Sequence, residues 1–188
     1  VTPAVAQLGR FTIRDVNVRD TPDLYALFGN PDTVRYVGVR QLATPGEAAQ
    51  LIERYQSSPT RWLSVLEGTK FLGIVGLEIR GHQAALTIAS NGIRRGFGRE
   101  FSVPFVQWIF THPQIWRVWA YCHRLNFPVQ RVMKRMGATQ EGLLRRFEVF
   151  PNISDEPQDV YVYSITRDDM NVLSRASMQT GSHAKTDI

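Results

Sequence analysis

Residues 61–66 and 71–80 are two runs of alternating, β-favouring residues separated only by Glu67-Gly68-Thr69-Lys70. So short a link, with a glycine in it, reads as a hairpin and sets two strands antiparallel. Residues 84–89 follow as a third strand. A chain that begins its middle third this way must wrap everything else around a sheet.

The flanking segments supply the wrapping. Residues 11–18 alternate apolar and polar and predict a strand. Thr21-Pro22-Asp23 opens a short helix to about residue 28, with proline in the first turn, and Asn30-Pro31-Asp32 breaks it. Thr44-Pro45-Gly46-Glu47 is a capping box, with Thr44 as cap and Glu47 reaching back, and predicts a helix to about residue 55. Phe101, Phe105, Trp108 and Ile109 recur at helical spacing, and Pro104 predicts a kink or an irregular first turn there. Residues 116–123 read as a strand. Val129, Val132, Met133 and Met136 form a second helical stripe, with Gly137 as its stop. Residues 143–150 and 160–165 complete the sheet.

The order is strand, two helices, three strands, helix, strand, helix, two strands. It predicts one mixed α/β domain over residues 1–170, and a polar tail, 171–188, expected to be disordered. Hydrophobic residues make up 43% of the 188, enough for a substantial core. The apolar runs fall short of the roughly 18–20 residues a membrane span needs. With one cysteine, Cys122, no disulfide forms within the chain, and a reducing, cytoplasmic setting is expected. The four histidines are scattered, without metal-ligand spacing, and no metal is expected. The formal charge of +5 favours an anionic partner. The basic residues are spread along the chain without a nucleic-acid motif, so a polyphosphate cofactor is preferred to RNA or DNA.

One stretch gathers three of those arginines. "NGIRRGFGRE", residues 91–100, lies between a strand and a helix, where free backbone N–H groups and a helix dipole favour anions. Gly96 and Gly98 allow close backbone approach, and Arg94, Arg95 and Arg99 add charge-assisted donors. It is neither a GxxxxGK[ST] loop nor a GxGxxG fingerprint. On its own, a glycine-rich turn with solvated arginines is an equally good reading.

The surrounding pattern narrows the choice. "GNPDTVRYV", Gly96-x-Gly98 before a helix, Asn126 after the next strand, "VMKRMGA", "EGLLRR" and "DVYVYSITRDD" occur in this order over about residues 10–170. Together they resemble the GNAT superfamily of acyl-CoA-dependent N-acyltransferases, and within it the ribosomal-protein N-terminal acetyltransferase subgroup. The resemblance implies a mixed, mostly antiparallel, twisted sheet of about seven strands flanked by about four helices. It implies acetyl-CoA as co-substrate and direct acetyl transfer to a primary amine, either a protein N-terminus or a small molecule, in a ternary complex. In its terms Arg94, Arg95, Gly96, Phe97, Gly98 and Arg99 hold the pyrophosphate. Ile88, Ala89 and Ser90 line the thioester, Asn126 binds the pantetheine arm, and Arg131 and Lys134 meet the 3′-phosphate.

The sequence departs from the subgroup at two positions: Ala85 stands where relatives often have glutamate, and Val129 where they have serine. The residues offered instead for proton transfer are Glu78, His123 and Tyr121. Glu78 is out of phase with Val75, Leu77 and Ile79, which are expected to face the core. His123 shares a strand face with Trp119 and Tyr121, and Cys122 is expected to be buried and unreactive. The same departures motivate a second reading, a non-catalytic acyl-CoA-binding or interaction module. The aromatic run "VWAYCHRL", with Trp116 and Phe127, raises a homodimer surface as an expectation.

Overall fold

The computed structural model describes residues 4–90 and 97–170. Eight strands form one sheet: β1 (Ala4–Leu8), β2 (Phe11–Asp15), β3 (Arg61–Glu67), β4 (Lys70–Arg80), β5 (Gln83–Ser90), β6 (Arg117–His123), β7 (Thr139–Val149) and β8 (Pro157–Thr166). Their order across the sheet is β1-β2-β3-β4-β5-β6-β8-β7. Each neighbouring pair is antiparallel except β5 and β6, which are parallel. The helices are α1 (Thr21–Phe28), α2 (Pro31–Val34), α3 (Pro45–Gln56), α4 (Phe97–Phe110) and α5 (Phe127–Arg135), with a 3-10 turn at Val18–Asp20.

The mixed, mostly antiparallel α/β fold is as expected, with corrections. There are eight strands and five α-helices among the described residues, against about seven and four. The added strand is β1, whose AVAQL carries little β-branched character and pairs only with β2 at the sheet edge. The added helix is α2, where Pro31 starts a new turn behind an Asn30 cap instead of only ending α1. Strand β2 stops at Asp15, not residue 18, because Asn17 caps the 3-10 turn. Helix α4 continues through Pro104. The tail beyond residue 170 lies outside the described residues.

Thr44 caps α3 through the Glu47 amide, and the Glu47 carboxylate reaches back to the Ala43 amide at 2.8 Å. Gly137, at φ 80°, takes the left-handed conformation just past α5. The sheet is covered on both faces. One core packs Leu24, Leu27 and Phe28 of α1 and Leu51 and Ile52 of α3 over Ile74 and Ala89. The other packs Phe101, Phe105 and Ile109 of α4 over Leu63, Val75 and Val118. Ile79, expected in the core, is 46% exposed, because β4 outruns the covering helices.

Beneath α1 a buried carboxylate is fully partnered. Asp20 accepts from Arg14 at 2.8 and 2.5 Å, from Ser64 Oγ at 2.7 Å and from the Asn17 amide at 3.0 Å. Burial pushes its pKa up, but the Arg14, Ser64 and Asn17 hydrogen bonds outweigh it and hold it below the usual carboxylate range.

Candidate active site

The parallel seam is short. Gln83, Ala84 and Ala85 pair with Arg117, Val118 and Trp119, and there the register ends. Beyond it β5 stays zipped to β4 as far as Ser90, while β6 stays zipped to β8 as far as His123. The two middle strands therefore part, and residues 86–90 present a backbone edge with no strand partner among the described residues. In a sheet interior such an edge needs another source of hydrogen bonds.

A cavity of about 190 Å³ opens in the gap. Its walls come from both faces of the sheet, since consecutive residues of β6 from Val118 to Cys122 all line it. On one side lie Val129, Val132 and Met133 of α5 with Ser102, Phe105 and Val106 of α4. On the other lie Tyr36, Val37 and Gly38, Trp119, Tyr121, Glu148 and Phe150. No residue within α5 is buried: Val129, Val132 and Met133 line this opening, while Val132 also packs against the α4 core and Met136, the last of the stripe read from the sequence, is buried in it.

The sequence-predicted residues separate on this geometry. Ile88, Ser90 and Asn126 line the cavity. Asn126 also caps α5, its Oδ1 accepting from the Val129 amide at 3.4 Å, so Val129 contributes a backbone donor to the cap and an apolar side chain to the wall. Ala89 does not line the cavity: it points away into the α1–α3 core and is 7% exposed. Arg131 and Lys134 are exposed on α5 and outside the lining. Arg94, Arg95 and Gly96, with the side chains of residues 97–99, lie outside the described residues.

Glu78 is not brought to the cavity; it accepts from Arg80 Nε at 2.6 Å. His123 stands behind the wall. It is buried, stacked on Tyr36 at 4.9 Å and edge-on to Phe150 at 5.0 Å, both of which line the cavity. Its Nδ1 accepts from the Leu125 amide at 3.1 Å, which puts the proton of the neutral ring on Nε2. Burial, then the charges of Arg124 and Arg35, lower its pKa and keep it neutral. Cys122 is buried as expected, its thiol pushed up to about 11 by burial.

Tyr121 does reach the cavity, with a partner that the sequence reading missed. Its hydroxyl donates to Glu148 Oε2 at 2.6 Å, and Glu148 Oε1 accepts from the Val149 amide at 3.2 Å. Burial and then the Glu148 carboxylate push the Tyr121 pKa far above its ordinary value, so the phenol keeps its proton. Glu148 owes its aim to a bulge: between Leu144↔Val160 and Glu148↔Gln158, β7 advances four residues while β8 advances two. Arg146 sits in the bulge at φ 48°, its amide held by Asp159 Oδ1 at 3.0 Å. The available signal was a lone carboxylate inside the aromatic-flanked "FEVF", but an irregular register cannot be read from alternation.

A parted parallel seam beside an apolar slot is what a long, thin, amide-bearing ligand arm requires. A model of the acetyltransferase (GNAT) domain family matches residues 10–139, spanning both parted strands and α4. The chain belongs to the GNAT acetyltransferase family. An uncharacterized N-acetyltransferase of Bacillus subtilis, YoaA, is 24% identical over 174 residues, covering 87% of this chain and 97% of that protein. Among solved structures, a spermidine N-acetyltransferase from Vibrio cholerae, in complex with CoA and spermine, is similar at a TM-score of 0.71 and 20% identity. The match covers 86% of this chain and 98% of that one. RimL, a ribosomal L7/L12 alpha-N-protein acetyltransferase in complex with coenzyme A, is similar at 0.73 and 14% identity, over 89% and 99%.

The GNAT chain is thus an acyl-CoA-dependent N-acetyltransferase, and acetyl-CoA is its co-substrate. The slot between β5 and β6 fits that group: an unpaired strand edge offers backbone donors and acceptors, and the walls are apolar. No cluster of metal-ligating side chains occurs among the described residues, and no helix among them is long and apolar enough to cross a membrane.

Proposed function

We propose that the cavity is the site of acetyl transfer to a primary amine, with Glu148 as the proton acceptor and Tyr121 as its fixed partner. The observation that carries this reading is the Tyr121–Glu148 pair on the wall of a cavity that runs through the parted strands. Acetyl-CoA, when bound, supplies a thioester carbonyl for attack. An amine arriving as ammonium gives one proton to the Glu148 carboxylate and becomes nucleophilic. As the N–C bond forms and the C–S bond breaks, the second proton lost from nitrogen is matched by the one the departing thiolate takes up. The first proton leaves to water through Glu148. Tyr121 holds one carboxylate oxygen by its hydrogen bond, leaving Oε1 turned to the Val149 amide and the incoming amine.

An unpaired amide on residues 86–90 is the donor we assign to the developing oxyanion. Asn126 and Ser90 contact the pantetheine arm in this reading. The pyrophosphate falls to the 94–99 loop, and the 3′-phosphate to Arg131 and Lys134. The acceptor is a protein N-terminal amine or a small-molecule amine. Residues 1–170 are proposed as one catalytic domain. A cytoplasmic setting agrees with the free, buried Cys122 thiol, and a homodimer would use the exposed Trp116 and Phe127.

The test is Glu148→Gln, assayed for thiol release with acetyl-CoA and a panel of amines from pH 6 to 9. The expected loss in kcat is roughly 10²–10⁴-fold, with the thermal shift caused by CoA unchanged. A variant with wild-type rate and profile excludes Glu148 as the proton acceptor.

A further inference from the structure

The lining of the cavity is lopsided in charge. Among the described residues that form it, Glu148 is the only one carrying a charge; the rest are apolar, aromatic or neutral polar. The half of the cavity around Glu148 is walled by Tyr36, Trp119, Tyr121 and Phe150. One ammonium therefore finds one carboxylate. A second ammonium would find aromatic faces but no second carboxylate among the described lining residues, and a phosphate or carboxylate on the acceptor would meet Glu148. Arg35 over Tyr36 at 5.4 Å and Arg117 over Trp119 at 5.8 Å stack on two of these rings without lining the cavity.

The wall formed by Tyr36, Val37 and Gly38 is also fastened. Asn152, in the loop after β7, donates from Nδ2 to the Val34 and Val39 carbonyls at 2.9 and 2.7 Å. Its Oδ1 accepts from the Gln41 amide at 2.9 Å. Arg40 adds an ion pair to Asp155 at 2.5 Å. The segment bearing Tyr36, Val37 and Gly38 is thus tied at both ends to the loop that follows Glu148 and Phe150.

We infer that the acceptor is a small primary monoamine, one ammonium on a compact apolar body, rather than a polyamine, a phosphorylated amine or a polypeptide. The inference rests on the acetyl-transfer reading above. Asn152 acts in it as a positioning residue, holding the wall that the apolar body packs against.

The experiment compares 2-phenylethylamine, spermidine and an alanine-initiated hexapeptide as acceptors at saturating acetyl-CoA, with thiol release as the readout. The expected kcat/KM for 2-phenylethylamine is at least about tenfold above both others, in line with the cost of burying an unpaired charge. Asn152→Ala should raise the KM for 2-phenylethylamine about five- to tenfold and leave the KM for acetyl-CoA unchanged; a general loss of structure would move both. Preference for spermidine or the hexapeptide overturns this inference and leaves acetyl transfer standing. No turnover of any amine, with the thermal shift by CoA intact, overturns it together with the reading beneath it.

Discussion

Helices α4 and α5 lie on the same side of the sheet, and both carry an apolar stripe, yet the protein buries the stripe of α4 far more completely than that of α5. Phe101, Phe105 and Ile109 of α4 are fully buried, and Phe101 meets Phe11 edge-on at 5.7 Å and stacks on Phe105 at 5.2 Å. Helix α5 turns Val129, Val132 and Met133 toward the gap between β5 and β6 and buries none of them. An amphipathic helix needs something apolar against its stripe. For α4 that something is the rest of the core; for the α5 stripe it is the core at Val132 and Met136 and, we propose, the acyl-CoA arm elsewhere.

The largest test of this contrast is Phe101→Ala. Removing a fully buried phenyl group should cost about 3–5 kcal/mol, read from the shift in urea midpoint. The activity per folded molecule should stay near wild type, since Phe101 does not line the cavity. Met133→Ala is the matched case on α5. It should cost under about 1 kcal/mol, because the side chain is already half-open to the cavity, yet raise the KM for acetyl-CoA about three- to tenfold. Equal stability losses in the two variants would break the comparison, and would mean that α5 is sealed into the core as firmly as α4.

The contrast also marks what the sequence can say. Both stripes were legible as stripes, and the caps of α3 and the stop at Gly137 were legible as local chemistry. Periodicity names the face that must be covered, but not what covers it. Whether β5 and β6 pair along their whole length depends on register, and Gln83–Ala85 look no different in alternation from Leu86, Thr87 and Ile88. The same limit hid Glu148, which a bulge in β7 rotates toward Tyr121, and it hid that the Ala89 side chain falls on the α1–α3 face, leaving its backbone to the gap. Glu78 was the attractive carboxylate in the sequence because it breaks the phase of an apolar strand. In the fold that phase break ends at Arg80, away from the cavity. The resemblance to the GNAT family carried the reading across these gaps because it is a statement about the order of motifs, which survives local irregularity.

The smallest effect sharpens the boundary between the filled and open regions, where His123 packs behind Tyr36 and Phe150. Burial lowers its pKa, so between the folded value and about 6.5, its unfolded value, the unfolded chain binds more protons than the folded one. The stability this site contributes is therefore present above pH 6.5 and is lost as pH falls through that window. His123→Gln keeps an acceptor near the Leu125 amide and removes the titration. The expected difference is under about 1 kcal/mol, roughly 2–4 °C in Tm, as a shallower decline from pH 7.5 to pH 5.5 than in wild type. A variant whose Tm falls with the same slope would show that protonation of His123 is not felt by the wall. The ring would then be packing for Tyr36 alone, and the acid sensitivity of the fold would have to come from another group.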